Sequence, residues 1–370
     1  MNPLKKLAGQ TVIYGLSSVI GRLLNYLLVP LYTRYFLPEQ YGIVTELYAY
    51  VAFLVVILTY GIETAFFRFS NKELNKRIVY STALISLLIS SLFFVIIIYL
   101  NAQSIANWLA YPDFPHYIRW FALIIGFDAI AAISFAKLRE KNQATRFAFI
   151  RLVNIFINIG LNLFFIIYCP YALEKNLSSV NFVNSVYSLD IGIGYIFISN
   201  LLASSVTLLM LFPEMIKSVW VFDKKLWKRM MIYALPLLIA GLAGITNETI
   251  DRILLKHLLP SNLNASSELG LYGAFYKLSI LMILFIQTFR FAAEPFFFAQ
   301  QREKNSRKIY GEVMKYFVIV TSIIFLFVSL FYDFIILFLG ENYHDPRGFL
   351  VVTILLAANL FLGIYYNLSI

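Results

Sequence analysis

The stretch of the chain richest in usable chemistry reads Arg151-x-x-Asn154-x-x-x-Asn158-x-x-x-Asn162. Steps of three and four residues put side chains on one face of an α-helix, and the residues between these four are apolar. A guanidinium can grip a pair of anionic oxygens, and amides exchange hydrogen bonds with hydroxyls. Such a face suits a wet path for a polar cargo. The plainer alternative is hydrogen bonding between helices, worth about 0.6 kcal/mol per bond in a membrane. Thr11, Gly15, Ser18, Arg22 and Asn25 form a similar face, and no carboxylate lies three or four residues from Arg22. Arg22 is thus a candidate for an anionic ligand, or for pairing with Glu63 or Asp128. Those two carboxylates and Asp251 are candidates for proton or cation binding. Arg252 and Arg290 are further ligand candidates, although Glu248 and Glu294, each four residues away, could neutralise them. Thr82, Ser86 and Ser90 are spaced for helix packing, and Tyr26 and Tyr60 are placed to stack on sugar rings.

The elements that carry these groups are hydrophobic runs. Of the 370 residues, 60% are hydrophobic, and mean hydropathy is +0.76. Soluble domains are about 45–50% apolar, and about 20 apolar residues span a bilayer as a helix. About ten such runs are present, at 10–36, 41–68, 78–100, 118–137, 147–168, 191–212, 230–257, 269–299, 311–338 and 349–370. The expected fold is an all-α polytopic membrane helix bundle. The first run is too long for a signal-peptide core and has no small-residue cleavage site, so it is expected to stay as a span. Pro30 should kink it near its far end. A charge at the bilayer centre costs about 2.5–3.5 kcal/mol, so charges inside such runs face protein or water.

With the N-terminus in the cytoplasm, nineteen Lys and Arg fall in inward segments, and only Lys175 and Arg347 fall in outward loops. That asymmetry fixes the expected orientation. It also explains the net charge of +10 as topology signal and contact with anionic lipid; nucleic acid is not an expected partner. Cys169, the single cysteine, allows no internal disulfide, and His116, His257 and His344 are too scattered to suggest a metal site. No phosphate-cradling G-x-x-x-x-G-K-[ST] occurs, and no cofactor is expected. The longest loop, 169–190, is too short for a catalytic domain, so an enzyme is not expected.

An internal repeat runs through the chain. Arg34-Tyr-Phe-Leu-Pro38 parallels Lys256-His-Leu-Leu-Pro260, Tyr41-Gly42 parallels Leu269-Gly270, and Glu63-Thr-Ala-Phe-Phe67 parallels Glu294-Pro-Phe-Phe-Phe298. Six spans separate the copies, so both insert the same way round, as in transporters whose halves are related by an axis along the membrane normal. The expected organisation is an N-terminal lobe of six spans at 1–212, a basic linker at 213–229 and a C-terminal lobe of four spans at 230–370. Six against four implies an incomplete second lobe.

The phrase Gly21-Arg22-Leu-Leu-Asn-Tyr-Leu-Leu-Val-Pro30-Leu-Tyr-Thr-Arg34-Tyr-Phe-Leu-Pro38-Glu-Gln-Tyr41-Gly42 resembles the opening of Wzx-type bacterial polysaccharide flippases. These belong to the multidrug/oligosaccharidyl-lipid/polysaccharide exporter superfamily. Phe222-Asp-Lys-Lys-Leu226 with Tyr233-Ala-Leu-Pro236, and Leu269-Gly-Leu-Tyr-Gly-Ala-Phe-Tyr276-Lys277, resemble later parts of the same family. The resemblance implies two lobes around an alternately opening cavity in the bacterial inner membrane. Its cargo would be an undecaprenyl-pyrophosphate-linked oligosaccharide, with Arg22 on the pyrophosphate, and glycan polymerase and assembly proteins as partners. Family members usually have twelve or fourteen spans, so ten is a departure. A cation-coupled multidrug exporter of the same superfamily and an integral-membrane glycan ligase or polymerase are the competing readings.

Overall fold

The computed structural model describes residues 20, 21, 23–260, 262–300 and 306–368, without side chains at 291, 292, 294–296, 298–300 and 306. Helices account for nearly all of it, and no strand occurs among the described residues. Among the described residues, eight helical stretches are long and apolar enough to cross a membrane, and a bent pair makes a ninth. The chain is therefore an all-α polytopic membrane helix bundle. The first sequence-predicted span, 10–36, lies largely outside the described residues.

Two compact units are present: the described parts of Met1–Thr45 with Leu255–Ile370, and Glu46–Leu254. This grouping follows contacts rather than the repeat, and its boundaries fall inside two continuous helices.

The unit Glu46–Leu254 holds most of α2 (Pro38–Thr59), then α3 (Ile62–Lys72), α4 (Lys76–Leu100), α5 (Pro115–Glu140), α6 (Ala144–Leu163), α7 (Gly194–Ile216) and most of α8 (Lys224–Leu258). Helix α5 is its centre. It packs on α4 and α7, and α7 packs on α6. Small residues let these helices approach, as bilayer packing requires: Ala122, Gly126, Ala129, Ser134 and Ala136 of α5 are buried, as are Ser81, Thr82, Ala83 and Ser91 of α4. The span 41–68 is broken between α2 and α3 by two left-handed residues, Tyr60 (φ 36°) and Gly61 (φ 71°). Gly61 also lies against α8, where a Cβ would come 2.9 Å from the Ala234 carbonyl oxygen. Helix α6 continues through a π-helical turn at Phe164–Tyr168 into Cys169–Glu174. Pro170 explains the widening, because its ring crowds the carbonyl four residues before it and it has no N–H to donate. The predicted loop 169–190 thus contains helix, including a further turn pair at Val180–Val186. Of the predicted linker, only 217–223 lies between helices.

The other unit contains α1 (Val29–Tyr35), the start of α2, α9 (Ala265–Leu278), α10 (Ile280–Gln300), α11 (Ser306–Leu330) and α12 (Gly348–Leu368). Pro30 sits in the first turn of α1, where its missing N–H costs nothing. The helical run is interrupted at Leu27 and Leu28, between 23–26 and α1, just before Pro30, where the kink was expected. Helices α9 and α10 meet at 46° across Ser279, whose hydroxyl donates to the Tyr276 carbonyl (2.8 Å).

Candidate functional site

Within the Glu46–Leu254 unit, polar side chains of three helices converge between α5, α6 and α7. Ser204 of α7 donates to the Asp128 carboxylate of α5 (2.8 Å), and Asp128 and the Arg151 guanidinium of α6 attract each other. The Arg151 guanidinium lies over the Phe135 ring at 4.3 Å and near that of Phe147 at 5.7 Å. One turn further along α6, Asn154 donates to the Thr207 hydroxyl (2.9 Å), and Thr207 in turn donates to the Ala203 carbonyl. On α7, Asn200 donates to the Tyr48 hydroxyl of α2 (2.8 Å). These groups make one polar seam through largely apolar helices. A carboxylate held by a hydroxyl and faced by a guanidinium can take up a proton, and doing so would uncover the cation.

The sequence-predicted residues divide as follows. Asp128, Arg151 and Asn154 come together in this seam. Asn162 is fully buried and donates to the carbonyl and side-chain oxygens of the half-buried Asn158 (both 2.8 Å). Glu63 stands apart, in the first turn of α3, in an ion pair with Arg139 of α5. Arg252 donates to the Glu248 carbonyl (3.2 Å), and Asp251 is half-buried beside it. Asn25 is exposed, while Arg22 lies outside the described residues. In the other unit, Arg290 stacks on Tyr366 (4.6 Å) in a small depression also lined by Ile286, Phe289, Phe317 and Asn367. The Glu294 side chain lies outside the described residues. Of the two tyrosines predicted to meet sugars, Tyr60 bonds Ser86 (2.6 Å) and Tyr26 stacks on Phe338 (4.7 Å).

Three features escaped sequence reasoning. Glu46 of α2 is fully buried and accepts a short hydrogen bond from the Tyr111 hydroxyl. It is the one acidic residue between Glu39 and Glu63, so its position in an apolar run was visible. Glu214, 3% exposed, ends α7 among Arg146 (2.6 Å), Lys137 (3.2 Å) and Lys141 (3.3 Å). The hydroxyls of α4 serve the 217–223 connection and the start of α8: Ser81 accepts from the Val221 N–H (2.8 Å), Thr82 from the Asp223 N–H (3.2 Å) and Ser86 from the Trp227 indole (2.9 Å). Two further ion pairs, Lys76 with Glu140 and Arg229 with Glu73, lie at this same basic end.

Fold and site together define a multi-pass membrane protein with a polar seam and paired charges among its apolar helices. A family model described as "Polysaccharide biosynthesis protein" matches residues 7–301. The chain belongs to that family, the one of Wzx-type polysaccharide flippases in the MATE-like superfamily. Neither the curated proteins nor the solved structures gave a significant match.

Proposed function

We propose that this protein flips an undecaprenyl-pyrophosphate-linked oligosaccharide from the cytoplasmic to the periplasmic leaflet of the bacterial inner membrane, by alternating access and without chemistry of its own. The family membership carries this reading. The polar seam supports it, because an oligosaccharide crossing hydrocarbon needs hydrogen-bonding partners in place of water. The two repeats form the two lobes, 1–212 and 230–370, joined by the basic linker. In this reading Arg22 grips the pyrophosphate, with Arg252 and Arg290 as second cations. Asn25, Arg151, Asn154, Asn158 and Asn162 meet sugar hydroxyls. Asp128 takes up the proton that drives return, with Glu63 and Asp251 as lesser candidates. Glycan polymerase and assembly proteins would receive the product.

Deletion of the gene is expected to remove surface glycan and to leave lipid-linked oligosaccharide in the inner leaflet, with both defects reversed by the intact gene. Unchanged surface glycan in the deletion strain would overturn the proposal. A multidrug exporter would instead show raised drug susceptibility on deletion.

A further inference from the structure

Helices α2 and α9 cross at two glycines, and the crossing reads the same in both directions. A Cβ on Gly42 would fall 1.8 Å from the carbonyl oxygen of Ser266, four residues before Gly270. A Cβ on Gly270 would fall 1.8 Å from the carbonyl oxygen of Pro38, four residues before Gly42. The same Cβ positions lie 3.2 Å and 3.0 Å from the partner glycine's own nitrogen. A contact in which residue i meets j and j meets i marks a two-fold axis through it. Gly42 and Gly270 are the residues that the sequence repeat pairs, so the local axis here is the axis of the repeat. The crossing extends one turn, to Thr45 against Gly273.

Backbone-to-backbone approach of this kind needs no interlocking side chains. What holds it is a clasp from the neighbouring connections. The Gly340 N–H donates to the Thr33 hydroxyl (3.0 Å), and the Tyr343 hydroxyl donates to the Phe36 carbonyl (3.0 Å). The Tyr343 ring meets Tyr41 edge-on at 6.0 Å. Arg347 spans from Asp345 to Glu268 (2.7 and 3.0 Å). Every one of these residues belongs to, or borders, the three connections that the charge asymmetry assigns to the periplasmic side.

A path running along the axis between two repeats is blocked wherever the repeats meet on that axis. We infer that the Gly42–Gly270 crossing and its clasp are the periplasmic gate of the protein, closed in this structure and parted once per transport cycle. The inference rests on the alternating-access reading above.

Two measurements in a Cys169→Ala background test it. The Thr45 Cβ lies 3.2 Å from a Cβ placed at 273, close to the separation a disulfide bridges, about 3.5–4.5 Å. Oxidising Thr45→Cys/Gly273→Cys is expected to cross-link the chain and reduce surface glycan at least ten-fold, with recovery on adding a membrane-permeant reductant. Normal export by a fully cross-linked chain, or failure of the well-expressed pair to cross-link, overturns the gate. The second measurement needs no cargo. A lone Thr45→Cys in intact cells is expected to react slowly with a membrane-impermeant maleimide as the gate opens. Complete protection, under conditions that label Asn176→Cys fully, overturns the gate and leaves the flippase reading standing. Slow labelling in a strain whose surface glycan does not depend on the protein would support the gate and overturn the flippase reading.

Discussion

Glu214 shows how a single side chain organises one end of the Glu46–Leu254 unit. Its carboxylate is 3% exposed and faces Lys137, Lys141 and Arg146. Removing one partner of a buried ion pair costs about 3–5 kcal/mol because it strands the other charge, here that of Lys137. Glu214→Ala is therefore expected to lower the amount of membrane-inserted protein several-fold. Lys141→Ala, which removes an exposed partner worth about 0–1 kcal/mol, should leave that amount nearly unchanged. Equal levels on a membrane immunoblot would contradict this assignment. Arg22 makes the opposite kind of prediction, because its proposed partner is cargo. Arg22→Ala is expected to insert normally and lose surface glycan, while Arg22→Lys keeps part of the activity without the bidentate fork. Normal glycan export by a well-expressed Arg22→Ala protein would remove Arg22 from the path. Asp128 and Arg151 were legible as charges because each interrupts an apolar run. The partners of Glu46 and Glu214 were not. They come from other parts of the chain, 65 and 68–77 residues away, and spacing within one helix carries no information about them.

At the scale of elements, length and hydropathy located the spans, since crossing a bilayer imposes both. Their breaks were harder to see. Pro30 announced itself, as fixed φ and a missing N–H must. Nothing comparable marks Ser279, where α9 turns into α10. At Tyr60–Gly61 the glycine is the only signal, and its need becomes plain only with α8 alongside. Gly61→Ala is expected to lower the melting temperature of the detergent-purified protein, since the left-handed backbone alone costs about 1–2 kcal/mol for a residue with a Cβ and the methyl meets the Ala234 carbonyl. An unchanged melting temperature would show that the break relaxes freely. The 339–348 connection makes a pH prediction. Arg347 donates to Asp345 and holds that carboxyl below its ordinary range. A carboxylate depressed in the folded state contributes above its unfolded value, about 4, and the contribution fades as pH falls through the folded value. Hydrogen exchange in this connection should thus resemble that of an Asp345→Asn variant at low pH and be slower than the variant's from pH 5 to 8, after correction for the intrinsic rate. Matching corrected rates at pH 7 would count against the clasp.

For the whole molecule, the placement of the connections is consistent with the count of spans. The segments around 36–41, 259–268 and 339–348 hold one another in one unit, through Thr33, Tyr41, Gly270, Gly340 and Arg347. The connections 73–75, 141–143 and 217–223 gather around the ion pairs of Glu73, Glu140 and Glu214 in the other. The sequence assigned the first three to one side of the membrane and the second three to the other. Omitting a span that lies between two members of one group would have put those members on opposite sides. Which side is cytoplasmic then rests on the nineteen-to-two distribution of Lys and Arg, and insertion places the basic loops inside. Single cysteines at 141 and 176, both exposed positions, decide it in a Cys169→Ala background. Cys169 is fully buried among Phe165, Ala172 and Tyr195, so alanine fits there without introducing a new polar atom. In intact spheroplasts an impermeant maleimide should label Asn176→Cys and spare Lys141→Cys, and in inverted vesicles the pattern should reverse. Labelling of position 141 from the periplasmic face would invert the topology, and with it the assignment of the glycine crossing to the periplasmic side.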